Sequence, residues 1–153
     1  MTDIMGQLMA LINNRMLMIP IISWGIAQVI KTVINAVMTK SFDPERLIGA
    51  GGMPSSHSAY VAALATTAFI QEGPGSPAIA ICFGFATVVM FDAMGVRRET
   101  GKQAELLNQL TEIFSANYED FDTPEKALKV LVGHTPLQVL FGCILGVIVG
   151  LVA

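Results

Sequence analysis

Apolar residues gather into four long runs separated by polar connections, over residues 16–39, 54–71, 77–96 and 135–153. Each is near the roughly 20 residues a helix needs to cross bilayer hydrocarbon, range about 17–25. Ahead of them, residues 1–15 put Ile4, Leu8, Leu11 and Ile12 on one side of a short amphipathic helix, suited to an interface or to packing on a bundle. Between the third and fourth runs, residues 100–116 carry Leu106, Leu107, Leu110, Ile113 and Phe114 at helical spacing. An acidic loop follows over 118–123, then a short helix over 124–132 that Pro124 can start and Gly133 can end. The pattern predicts an all-α integral membrane bundle with about four membrane-embedded helices plus amphipathic cytoplasmic helices. Its length suits one domain, 1–153, with an interfacial helix over 1–15 and a cytoplasmic insert over 99–133.

Composition strengthens the membrane reading. The chain is 53% hydrophobic and only 14% charged, with a mean hydropathy of +0.61, well to the apolar side of soluble usage. A net charge of −3 and the lack of interleaved basic and aromatic residues give no reason to expect nucleic acid. Cys82 and Cys143 lie far apart in apolar runs and read as inert thiols. No cleavable signal peptide is expected, because Asp3 is present and no basic residue precedes Arg15.

Charge sets the orientation. With the N-terminus outside, connections 40–52 and 97–133 share one side. They hold Lys40, Arg46, Arg97, Arg98, Lys102, Lys126 and Lys129, seven of the nine basic residues, against Arg15 on the other side. The positive-inside rule then puts both connections in the cytoplasm of a cell-membrane protein. The same arrangement brings His57 at the start of the second run, Arg97 and Arg98 at the end of the third, and His134 at the start of the fourth to one membrane face.

That convergence suggests chemistry. Gly51-Gly52-Met53-Pro54-Ser55-Ser56-His57-Ser58 is a glycine turn feeding a helix start, whose first amides and dipole can hold an anion. Paired guanidiniums bind phosphoryl oxygens, and two histidines can divide nucleophilic attack from proton donation. Zinc is the competing use of two histidines, but no cysteine ligand or HExxH accompanies them and the surplus positive charge opposes a cation. No metal or cofactor is expected. Two other ionisable groups lie within the runs. Lys31 suits the phosphate site or a snorkelling stem; Asp92 suits a catalytic charge or an ion pair with Lys31 or an arginine.

Pro54-Ser55-Ser56-His57-Ser58 resembles the Pro-Ser-Gly-His motif of the type 2 phosphatidic acid phosphatase and vanadium haloperoxidase superfamily. His134 to Gly142 resembles that superfamily's third motif. With Asp92 to Arg98 and Gly101-Lys102-Gln103-Ala104, the pattern is similar to a divergent branch of it, from about Trp24 onward. The resemblance implies a metal-independent phosphatase working through a phosphohistidine. His134 would be the nucleophile and His57 the general acid, with Arg97 or Arg98 clamping the phosphoryl oxygens and Ser55, Ser56 and nearby amides completing the cradle. Three departures stand out. Ser56 replaces a glycine; Gln138 stands where an aspartate orients the nucleophile; and the first Lys-to-Arg-Pro motif is absent, leaving Lys31 and Arg46 as nearest equivalents. Gln138 can accept the imidazole N–H but cannot stabilise a positive ring as a carboxylate does, and Asp92 is the nearest group that could supply that charge.

The expected substrate is a phosphomonoester or diphosphate, amphiphilic because the site lies at headgroup depth: a lipid or isoprenoid phosphate. The alternative is a non-catalytic membrane protein that binds lipid phosphate or a protein partner. Gly142, Gly146 and Gly150 fall at four-residue intervals, the signature of close helix approach, and leave open packing within the bundle or a homo-oligomer.

Overall fold

The computed structural model describes residues 3–42, 51–117 and 133–153, and all regular structure among them is helical. The elements are α1 (Ile4–Ile12), α2 (Arg15–Thr39), α3 (Ser56–Glu72), α4 (Pro77–Met94), α5 (Val96–Asn117) and α6 (Pro136–Val152). Starts are set by local chemistry. Asp3 accepts from the Gly6 amide at 3.0 Å, and Ser76 from the Ala78 amide at 3.1 Å just before Pro77. Each satisfies an amide that the helix itself leaves without a partner.

α3 is the hub, packed by α2, α4 and α6. Its sequence explains why. Ala59, Ala62, Ala63 and Ala68 are buried and small, so neighbouring backbones come close. The Ser23 hydroxyl of α2 donates to the Ala59 carbonyl at 3.1 Å. From α6, Gly142, Gly146 and Gly150 are all buried against α3. A Cβ on Gly146 would lie 2.7 Å from Ala62 Cβ, and one on Gly150 would lie 2.8 Å from Thr66 Cβ. The glycine stripe therefore serves contact within the chain.

Large apolar side chains point the other way. Ile81, Phe83 and Val88 of α4 and Leu137, Leu140 and Ile148 of α6 are all exposed, while the buried apolar set is mostly alanine. Water-soluble folds rarely leave so much contiguous apolar surface uncovered, whereas lipid suits it. By length and composition two stretches can cross a bilayer: α2, with 25 residues, and the 41-residue Pro77–Asn117, which joins α4 to α5.

The junction between α4 and α5 differs from the expected boundary at residue 100. Gly95 bends the chain at φ −100°, ψ −89°, yet its amide still donates to Phe91 at 2.8 Å and its carbonyl accepts from Glu99 at 3.0 Å. Helical bonding thus runs up to Gly95 and resumes from it, and Arg97 and Arg98 open α5 instead of trailing α4. Arg46 and the helix expected over 124–132 lie outside the described residues.

Candidate active site

Three runs of main chain are tied together at one end of the bundle. The His134 amide donates to the Ala93 carbonyl at 3.0 Å, one of the carbonyls that the end of α4 leaves unpaired. The Ser55 amide donates to the Gln138 carbonyl at 3.0 Å, joining the turn before α3 to the first turn of α6. Gly133 lies so close to the backbone of Arg97 and Arg98 that no Cβ would fit. These contacts carry His134 to the start of α5 and hold it beside the turn that bears His57.

His57, Asp92, Arg97 and His134 line one cavity of about 490 Å³, together with Gly51, Gly133 and Thr100. Lys31 is 5% exposed and so turned into the protein, its stem beside Gly52. Lys31 and Arg97 lie within electrostatic reach of both imidazoles. Among the described residues no three His, Cys, Asp or Glu side chains converge as a metal-ligand set.

Gln138 determines the state of His134. Its side-chain oxygen accepts from the Thr135 amide at 3.0 Å and lies 3.2 Å from His134 Nδ1. An amide N–H can only donate, so the atom it meets is the oxygen of Gln138, and Nδ1 must carry the ring proton. The lone pair is then on Nε2. In return the Thr135 hydroxyl accepts from the Gln138 amide at 3.3 Å, closing a capping box. Burial holds the His134 pKa below its usual 6.5; the Gln138 contact opposes this, while Lys31 and Arg97 push further down. His134 is thus a neutral ring near pH 7, with a free nitrogen beside two cations.

Asp92 is engaged with Arg97. Its Oδ2 accepts from Arg97 Nε at 2.7 Å, with both side chains partly exposed. That contact takes the side of the guanidinium, and among the described residues no other hydrogen bond uses its two terminal nitrogens. They remain available for paired oxygens. Of the remaining sequence candidates, Ser55 is fully buried and its hydroxyl accepts from the Ser58 amide at 3.3 Å and the Ser58 hydroxyl at 2.9 Å, a helix cap. Ser56 is buried in the first turn of α3, and Arg98 is exposed on α5 away from the cavity lining. Thr135 was not a candidate from sequence, although its spacing to Gln138 is the readable signature of a capping box.

Comparison with known proteins gives a relative and a family. The chain is 38% identical over 152 residues, 94% of its own length and 96% of the relative's, to a Bacillus subtilis (strain 168) protein named "Uncharacterized membrane protein YuiD". No solved structure matches. Residues 12–149, which include both histidines, match the family described as "Divergent PAP2 family", and the chain belongs to that family.

Proposed function

We propose that this protein is a membrane-embedded, metal-independent phosphatase that hydrolyses a lipid or isoprenoid phosphate through a phosphohistidine. One observation carries the reading: a single cavity is shared by His57, Arg97 and a His134 whose proton is confined to Nδ1. In the first step Nε2 of His134 forms a bond to phosphorus as the ester P–O bond breaks, and His57 gives its proton to the leaving alkoxide. In the second, water attacks phosphorus and gives its proton to His57. The P–N bond breaks and inorganic phosphate leaves. Arg97 and Lys31 stabilise the charge that builds on the phosphoryl oxygens.

In this reading α2, α3, α4 and α6 are embedded in the cell membrane with the cavity at its cytoplasmic face. Lys40, Arg97, Arg98 and Lys102 lie toward that face and Arg15 toward the other. The test is phosphate release from lipid phosphates by purified protein, with vanadate inhibition and His134→Ala and His57→Ala variants. Loss of release in both, and trapping of radiolabelled phosphate on His134 in a slow His57 variant, supports the mechanism. Release that survives His134→Ala overturns it. The neutral Gln138 amide favours one second reading, a lipid-phosphate binder without turnover, which would bind vanadate and phosphate esters yet release nothing.

A further inference from the structure

A second cavity, of about 340 Å³, meets the first at His57. Ile21 and Trp24 of α2, Tyr60 and Val61 of α3, and Phe85 and Val89 of α4 line it, and Val89 and His57 line both cavities. Its wall is almost wholly apolar. α2 and α4 both pack on α3, but among the described residues their backbones stay apart. The groove between them thus has α3 as its floor and an open side flanked by exposed Ile22, Trp24 and Phe85. Phe85 lies about 10 Å along α4 from Asp92, so the groove leads from the polar cavity toward the middle of the bundle.

Resting on the phosphatase reading above, we propose that this groove holds the hydrocarbon chain of the phosphate ester, admitted sideways from the bilayer, and that Trp24, Tyr60 and Phe85 decide which chains fit. A charged head in the cationic cavity and a chain in the adjoining apolar one match the two halves of a single amphiphile. A small soluble ester would fill only the first. The chain passes from one apolar medium to another, so transfer out of water contributes little. The groove acts by alignment, keeping the ester oxygen in line between His57 and His134.

Trp24 is the only tryptophan, so it reports on the groove directly. The protein in phosphatidylcholine nanodiscs is titrated with dodecyl phosphate brominated on its chain, and turnover of butyl and dodecyl phosphate is measured alongside. Saturable quenching of Trp24, relieved by unlabelled dodecyl phosphate but not by dodecanol or inorganic phosphate, supports the groove. Ile21→Phe, which adds bulk at an exposed edge, should weaken the quenching and lower the dodecyl-to-butyl ratio of kcat/KM by about tenfold. Phosphate release with no saturable quenching, and with the same ratio in both proteins, overturns the groove while leaving the phosphatase reading standing. Saturable quenching with no release from any ester keeps the groove and removes the phosphatase.

Discussion

At the level of single residues, Gln138 separates orientation from charge. Its oxygen holds the Nδ1 proton of His134, as a carboxylate would, but lends the ring no negative charge. His134 must be neutral to attack and burial holds its pKa below the usual 6.5, so the acid limb of kcat/KM should lie below that value, while loss of the His57 proton sets the alkaline limb. Gln138→Glu keeps both hydrogen bonds and adds the charge that favours the protonated ring, so the acid limb should move upward. A pH–rate profile that did not move would remove His134 from the nucleophile's role. Gln138→Leu should cost about three- to tenfold in kcat, the worth of one orienting hydrogen bond. Asp92 makes a different prediction. Since its carboxylate holds Arg97 Nε, Asp92→Ala should raise KM and weaken vanadate binding more than it lowers kcat, and Asp92→Asn should recover part of the loss. Unchanged vanadate affinity in both variants would contradict the positioning role. The histidines were legible in the sequence because their surroundings are local: a glycine-proline turn and a helix start. The partner of Asp92 was not, since Lys31 and either arginine were all within plausible reach, and only the bend at Gly95 selects Arg97.

Among the helices, the contact between α3 and α6 has the tightest tolerance. Gly146 faces Ala62 Cβ and Ala63 N across spaces of 2.7 and 2.9 Å for an added Cβ. Gly146→Leu should therefore destabilise the fold by about 1–3 kcal/mol, as over-packing does, read as a lowered thermal midpoint in nanodiscs. A midpoint equal to that of the parent would mean that α6 is free to move away. Hydrophobic runs and caps located the helices within a few residues, because apolar length and the Ser, Thr, Asp and Pro signals are local properties. The spacing of Gly142, Gly146 and Gly150 announced a close neighbour without naming it. The complementary surface is a face of alanines on α3, and alanines suit any helix interior, so they carry no distinctive signal of their own.

The whole molecule is built inside out compared with a water-soluble domain: small residues within, large apolar ones outside. That arrangement, together with the basic residues at one end, makes a directional prediction. In a background with Cys82 and Cys143 replaced by serine, Lys102→Cys should react with a membrane-impermeant thiol reagent only from the cytoplasmic side, and Gly75→Cys only from the opposite side. The reverse pattern would turn the cavity to the exterior. Composition made the membrane legible, but the apolar groove beside His57 was beyond reading, because it arises where the backbones of two helices stand apart on α3.

The bonds from His134 to Ala93 and from Ser55 to Gln138 are both made by peptide groups. Point substitution, proline aside, leaves peptide groups in place. Exchange of the side chain at 138 or at 92 can therefore retune acidity or anion affinity while the separation of the two imidazoles stays constant. Relatives with a carboxylate, an amide or a hydroxyl at those positions would then differ in rate and pH range before they differ in geometry, so reactivity in such a scaffold is free to drift while its frame stays put.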